Sequence, residues 1–212
     1  MIAIYLAETS KNCASAHIYP DERAKYIVNA SDKRVKIQRY SVWKLLELAV
    51  RDCYNLSLEE LKFSLGNNGK WSCDKLHFSL SHCDGTVAVA LSDSSVGVDI
   101  ESCSSFEKRC KNSPSFVQSF AQKILAKDEE CATNGDLLKL WTGKESIYKF
   151  AGGNAFAPDK LRVADYPVSA YGYGDFCISV CGLSSDRAQF FACEEIAGSY
   201  VKGGRFFPIE MI

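Results

Sequence analysis

Residues 96–102 read VGVDIES and place two carboxylates in an otherwise apolar strand pattern. Successive side chains of a strand point to opposite faces, so Asp99 and Glu101 share one face while Val98 and Ile100 share the other. Like charges held that close oppose each other's ionisation unless a cation or solvent takes up the charge. A hard divalent ion such as Mg²⁺, which takes oxygen ligands, would resolve the conflict. The same alternation also fits the solvated face of an antiparallel strand.

The composition indicates a folded, globular chain. It has 212 residues, of which 47% are hydrophobic and 24% charged, enough for one substantial core or two small halves packed together. The formal net charge is −1, so nothing in the overall balance requires a nucleic acid or an anionic membrane as partner. The N-terminal apolar run is short and lacks a basic leader. We therefore expect a soluble, cytoplasmic protein in which any basic site is local.

The ten cysteines are scattered along the chain, and no two have CxxC spacing. Without a secretion signal, we expect reduced thiols that behave as small apolar residues. No cysteine is assigned a function.

The order of predicted elements suggests an α+β fold. An opening strand precedes a helix led by Pro20 and a long helix over residues 32–54, capped by Ser31. Apolar or alternating runs predict an antiparallel meander at 76–80, 86–91 and 96–101. A helix led by Pro114 and a helix over 134–151 then precede strands near 159–163, 175–181, 188–194 and 205–209. Helix followed by meander occurs twice, which predicts two similar helix-plus-antiparallel-sheet halves in a pseudo-twofold arrangement, residues 1–95 and 96–212.

Residues 136–153, DLLKLWTGKESIYKFAGG, form the strongest predicted helix. Lys144 falls in the middle of its apolar stripe, where a lysine must either reach out to solvent or meet an anion. Glu145 and Lys149 lie four residues apart at the edge of the stripe. They could serve a reaction, or simply form an intrahelical ion pair of a few tenths of a kcal/mol.

Residues 77–85, HFSLSHCDG, end a strand in a glycine-containing turn that carries Ser81 and His82. Free backbone amides, a hydroxyl and an imidazole together suit an anion such as phosphate. A single histidine at a strand end also has a purely structural interpretation.

Together these segments resemble the 4′-phosphopantetheinyl transferase superfamily, in particular its longer single-chain type with two fused halves. The matching pieces run in the family order over residues 69–149: a Gly-Lys pair at Lys70, LSH at 80–82, GVDIE at 97–101 and WTGKESIYK at 141–149. A vaguer likeness extends N-terminally through PDERAK at 20–25 and Arg39.

This chain also departs from the family pattern. Trp71 follows the Gly-Lys pair where the family often has proline, and Cys83 stands where a second serine often follows the histidine. In PDERAK, Glu22 takes a place where the family can present another lysine. The first two changes remove no charged catalytic group, whereas the third weakens the N-terminal basic cluster.

The resemblance implies roles for individual residues. The C-terminal half would carry the metal and the chemistry, with Asp99, Glu101 and Glu145 holding Mg²⁺ against the pyrophosphate of coenzyme A. Glu145 would accept a serine proton, directly or through water, and Lys149 would stabilise or protonate the departing bisphosphate. The N-terminal half would contact the nucleotide. The residues implied to bind coenzyme A are Lys25, Arg39, Lys70, Ser81, His82, Lys144 and Lys149.

The implied reaction moves the 4′-phosphopantetheine arm of coenzyme A to a serine of an acyl, peptidyl or aryl carrier protein. It releases adenosine 3′,5′-bisphosphate. The single-chain type implies a monomer with its site between the halves, and neither nucleic acid nor membrane is an expected partner. Two other functions remain open: a noncatalytic module that binds coenzyme A or another nucleotide, and a metal-dependent phosphodiesterase.

Overall fold

The computed structural model describes residues 1–11, 17–66, 69–153 and 155–211, and it shows a mixed α+β fold. The helices are α1 (Asp21–Val28), α2 (Lys33–Tyr54), α3 (Cys103–Asn112), α4 (Pro114–Ile124) and α5 (Asn134–Ala151). The strands are β1 (Ile2–Glu8), β2 (Phe63–Leu65), β3 (Trp71–Cys73), β4 (His77–Cys83), β5 (Thr86–Ser92), β6 (Gly97–Ser102), β7 (Val168–Tyr173), β8 (Phe176–Cys181), β9 (Gln189–Ile196), β10 (Ser199–Phe206) and β11 (Ile209–Glu210). No helix within these described ranges is long and apolar enough to cross a membrane.

The strands form two main sheets and a small hairpin. The larger sheet has the order β10-β9-β1-β5-β4, the second has the order β11-β7-β8-β6, and β2 pairs with β3. In the larger sheet β1 runs antiparallel to β5 and parallel to β9. Strands from both sides of residue 96 therefore share one sheet. The division into halves and the pseudo-twofold arrangement stay predictions.

The predicted meander is only partly correct. β4 and β5 form an antiparallel hairpin, but β6 leaves their sheet and pairs with β8, with Asp99 opposite Ser179. On its other side β6 meets β4 through serine hydroxyls: Ser79 Oγ accepts a hydrogen bond from the Val98 amide at 3.0 Å, and Ser81 Oγ accepts one from the Ile100 amide at 3.4 Å. Side chains thus join the two sheets at this seam.

The elements stack in four layers: α2, the larger sheet, the second sheet and α5. One core lies between α2 and the larger sheet and includes Trp43 and Leu46 of α2. The second lies between the two sheets, and it holds Val98 and Ile100 of β6. The alternation along β6 therefore turns Asp99 away from this second core and toward α5, as the pleat of a strand requires.

Two local expectations need correction. The cap of α2 is Asp32 rather than Ser31, because the Asp32 carboxylate accepts hydrogen bonds from the Arg34 and Val35 amides at 2.7 and 3.1 Å. The strand predicted near 159–163 is absent from the described residues; that segment forms two short 3₁₀ turns, Pro158–Lys160 and Val163–Asp165. Carbonyl oxygens from this segment accept hydrogen bonds from a lysine rather than from a neighbouring strand.

Candidate active site

A cleft of about 350 Å³ lies between α1, α2, the β2–β3 hairpin, β4 and α5. Of the described residues, five with basic side chains line it, together with the carboxylate of Glu145: Arg23, Arg39, Lys70, His82 and Lys149. Its apolar walls include the aromatic rings of Tyr26, Trp71, Phe78 and Tyr148. Positive charge beside aromatic surface suits an anionic ligand that also carries a flat or apolar group.

At one side of the cleft, a lysine joins α5 to the seam between the sheets. Lys149 Nζ donates to Asp99 Oδ1 at 2.7 Å, and to Ser81 Oγ and the Val98 carbonyl oxygen at 3.1 Å each. Ser81 Oγ in turn donates to Asp99 Oδ1 at 2.8 Å. One ammonium and one hydroxyl therefore fix the orientation of the Asp99 carboxylate.

Gly97 makes this contact possible. A Cβ at this position would lie 1.9 Å from the Ser146 carbonyl oxygen and 2.7 Å from the Phe150 amide nitrogen, both in the backbone of α5. Only glycine allows the helix to lie this close to β6. The sequence places Lys149 on the helix, and Gly97 brings it within reach of Asp99.

The charge of Asp99 opposes the ionisation of the other two carboxylates of the predicted metal site, Glu101 and Glu145. Burial, and then the charge of Asp99, raise the pKa of Glu101 to about 7, while a hydrogen bond with the Trp141 side chain acts in the opposite direction. The same two causes raise the pKa of Glu145. Asp99 Oδ2 is buried and has no hydrogen-bond partner among the described residues. The charged forms of Glu101 and Glu145 are therefore disfavoured in the folded protein, and a bound cation would favour them.

These residues fit a hard divalent cation by their chemistry. Carboxylate oxygens are the ligands that Mg²⁺ takes, and Asp99 Oδ2, which has no hydrogen-bond partner in the described part of the chain, could act as one. Within residues 1–11, 17–66, 69–153 and 155–211, no group of three His, Cys, Asp or Glu side chains is already arranged around a metal position. Glu145 lines the cleft, whereas Glu101 lines a neighbouring cavity of about 420 Å³; His82 borders both.

The structure brings most of the predicted site residues together. Ser81, Asp99 and Lys149 are directly hydrogen-bonded. The cleft is also lined by Arg39, Lys70, His82 and Glu145. Lys25 is exposed on α1 and does not belong to the residues that line the cleft.

The structure does not bring Lys144 to the cleft. Its side chain is completely buried, pairs with Glu129 and donates hydrogen bonds to the carbonyl oxygens of Pro158, at 2.9 Å, and Leu161. Glu129 also accepts hydrogen bonds from the Ala126 and Val163 amides, at 2.9 Å each. The lysine in the apolar stripe therefore meets oxygens of the protein itself, and the predicted contact with phosphate is corrected.

The positive charge of Lys149 disfavours the protonated forms of its basic neighbours in the cleft, Lys70 and His82. Lys70 donates to the Lys149 carbonyl oxygen, and burial followed by the Lys149 ammonium lowers its pKa. His82 is exposed, but the surrounding walls exclude enough water to lower its pKa, and Lys149 lowers it further. A bound anion would relieve both effects.

Among the basic residues that line the cleft, Arg23 was not predicted from the sequence. It is buried, and its guanidinium carbon lies 4.5 Å from the centroid of the Trp43 ring, a cation–π contact. Burial lowers its pKa to about 10. Helical spacing could have indicated that Arg23 is buried. Arg23 lies four residues before Ile27, the buried apolar residue of α1, and therefore shares its inward face.

Comparison with known proteins gives a concordant result. Residues 95–193 match the family model of the 4′-phosphopantetheinyl transferase superfamily. The chain is also 30% identical, over 105 residues, to the 4′-phosphopantetheinyl transferase gsp of Aneurinibacillus migulanus. That alignment covers 49% of this chain and 44% of the relative, so the chain spans less than half the length of that protein. The resemblance carried by the motifs is confirmed over this segment: residues 95–193 are similar to the 4′-phosphopantetheinyl transferase superfamily.

Proposed function

We propose that this protein transfers the 4′-phosphopantetheine arm of coenzyme A to a serine hydroxyl of an apo acyl or peptidyl carrier protein. The reaction requires Mg²⁺ and releases adenosine 3′,5′-bisphosphate. The observation that carries the proposal is the Asp99 carboxylate beside the basic cleft: Lys149 and Ser81 donate to Oδ1, while Oδ2 has no hydrogen-bond partner among the described residues. The superfamily match over residues 95–193, which includes Asp99, Glu101, Glu145 and Lys149, supports it.

The basic cleft would bind the nucleotide end of coenzyme A. Arg39, Lys70 and His82 lie along it, and each would gain a counterion from the phosphates. The aromatic walls provide a surface for the base and the pantetheine chain. This division of the ligand agrees with the mixed polar and apolar lining of the cleft.

Asp99, Glu101 and Glu145 would hold the metal. When bound, Mg²⁺ neutralises charge on the nonbridging phosphate oxygens. Lys149 and Ser81 both engage Asp99 Oδ1, which orients the carboxylate and leaves Oδ2 to act as a ligand. Partners of this kind, behind a metal ligand, set its orientation and its basicity.

The chain's own residues then handle the protons and charge of the transfer. The serine oxygen forms a bond to the phosphorus that carries the pantetheine arm, and the bond from that phosphorus to the bridging oxygen breaks. The electron pair leaves with the bisphosphate, where the Lys149 ammonium neutralises the new charge. Glu145, whose carboxylate lines the cleft, takes the serine proton as the general base.

A single polypeptide supplies the whole proposed site. Residues on both sides of residue 96, such as Arg39 and Lys149, line the same cleft. We therefore propose a monomer that acts in the cytoplasm, and light scattering coupled to size-exclusion chromatography tests the oligomeric state.

Intact-mass spectrometry tests the reaction. Purified apo carrier proteins are incubated with coenzyme A, Mg²⁺ and this protein, with EDTA in a parallel sample. We expect a mass gain of one phosphopantetheine group that EDTA abolishes and that Asp99→Asn does not support. Coenzyme A binding without any mass gain would indicate a noncatalytic binding module. Release of free phosphopantetheine in the absence of a carrier would indicate a phosphodiesterase.

A further inference from the structure

The ring of Tyr26 on α1 lies against two guanidinium groups. The guanidinium carbon of Arg39 lies 3.8 Å from the ring centroid, and that of Arg23 lies 5.1 Å from it. Tyr26 is 41% exposed and lines the cleft together with both arginines. An aromatic side chain in the cleft wall thus contacts two cations, one of which is buried.

Hydrogen bonds from arginine side chains to backbone carbonyl oxygens fix this arrangement from both helices. Arg39 Nη1, on α2, donates to the Tyr26 carbonyl oxygen at 3.0 Å. Arg23 Nη2, on α1, donates to the Arg39 carbonyl oxygen at 3.1 Å. Each helix therefore holds the other through an arginine, and the Arg39 guanidinium is fixed by a ring face and a carbonyl before any ligand arrives.

The charges of this cluster are not balanced locally. Among the described residues, the ion pairs with carboxylates involve neither Arg23 nor Arg39. Burial lowers the pKa of Arg23 most, Tyr26 acts in the opposite direction, and the Arg39 charge lowers it further. A cation that is already oriented and lacks a counterion binds an anion without the loss of side-chain freedom that a mobile lysine incurs.

We propose that Tyr26 is a positioning residue that holds Arg39 for the 3′-phosphate of coenzyme A. The inference rests on the proposed function. Coenzyme A carries two anionic groups, a diphosphate and a 3′-phosphate on the ribose. Asp99 and Glu101 lie on β6, and Glu145 and Lys149 lie on α5. Under the proposed function, these residues take the diphosphate. The arginines on α1 and α2 form a separate wall of the same cleft, and the resemblance implies that Arg39 binds the nucleotide, which carries the 3′-phosphate.

Calorimetric titration with coenzyme A and with 3′-dephospho-coenzyme A tests this role. Tyr26→Ala removes the ring, and Tyr26→Phe keeps it without the hydroxyl. Val28→Ala, at a position 64% exposed on the same helix and outside the cleft lining, is the matched control. We expect Tyr26→Ala to weaken coenzyme A about fivefold, the size of a partly exposed cation–π contact. It should leave the dephospho compound unchanged, and Tyr26→Phe and Val28→Ala should bind both ligands normally.

A double variant separates positioning from direct binding. If Tyr26 acts through Arg39, then Tyr26→Ala combined with Arg39→Gln binds coenzyme A no more weakly than Arg39→Gln alone. Equal weakening of both ligands by Tyr26→Ala, or no weakening of either, would overturn the inference while the proposed function stands. Failure of the unaltered protein to bind coenzyme A would overturn the proposed function, and this inference with it.

Discussion

Lys144 and Lys149 lie on the same helix and have opposite surroundings. Lys144 is completely buried, and protein oxygens accept its hydrogen bonds. Lys149 is 23% exposed in its side chain, lines the cleft and binds the Asp99 carboxylate. The two side chains project about 140° apart around the helix axis. A buried charge on a functional helix is thus not by itself a ligand-binding group, and the elements packed on each face decide its role.

Removing the buried lysine should produce the largest loss of stability. Lys144→Met leaves Glu129 without its cation in a site where that carboxylate is only 11% exposed. Breaking a buried ion pair from one side costs about 3–5 kcal/mol in the free energy of unfolding. Chemical denaturation measures the loss. Lys123→Met, at an exposed position of α4, is the control and should change stability little. Native stability in Lys144→Met would show that the pair is dispensable.

Removing the proposed base should affect the reaction rather than the fold. Glu145→Gln is expected to lower the rate of phosphopantetheine transfer at least about a hundredfold, because it abolishes general-base catalysis. The burial that raises the pKa of Glu145 makes its charged form unfavourable in the folded protein. In EDTA at pH 8, Glu145→Gln should therefore be at least as stable as the unaltered protein. Any increase in the free energy of unfolding should vanish below the ordinary pKa of a glutamate, where the side chain is uncharged in both the folded and the unfolded state. Normal transfer by Glu145→Gln would disprove its assigned role.

The packing of α5 on β6 links the two lysines to the rest of the fold. Gly97→Ala places a methyl group against the helix backbone and should cost about 1–3 kcal/mol, as overpacking does. Because the helix must shift, transfer activity should fall as well. In Gly135→Ala the new Cβ would lie 3.6 Å from Thr133 Oγ1, an ordinary contact, so this control should behave normally. Equal behaviour of both variants would mean that the close approach is not required.

The smallest expected effect concerns the pH dependence of stability. The pKa of His82 is lowered in the folded protein, so the unfolded chain binds the proton more readily. Stability should then decrease as pH falls through about 6.5, the ordinary pKa of histidine, toward the lowered value. His82→Gln should flatten this part of the profile in thermal denaturation between pH 5 and pH 8. An unchanged profile would mean that another group causes the decrease.

Much of the candidate site was predictable from local spacing. Alternation along β6 places Asp99 and Glu101 on one face, and helical spacing places Glu145 and Lys149 together. The cap of α5 by Thr133 and its end at Gly152 also follow from local signals. The role of Lys144 was not predictable, because its partner Glu129 lies in a loop whose path depends on the packing of α4 and α5.

By itself, the sequence determined the periodicities, the order of most elements and the residue types that share a face, because neighbours along the chain set these through backbone geometry. It also carried the superfamily motifs. Only the tertiary structure decided that β6 pairs with β8 instead of β5, that β9 returns beside β1, and that Arg23 and Tyr26 join Arg39 in the cleft wall. These outcomes depend on which distant surfaces fit together, as the approach of α5 at Gly97 illustrates, and short-range spacing carries no information about such contacts.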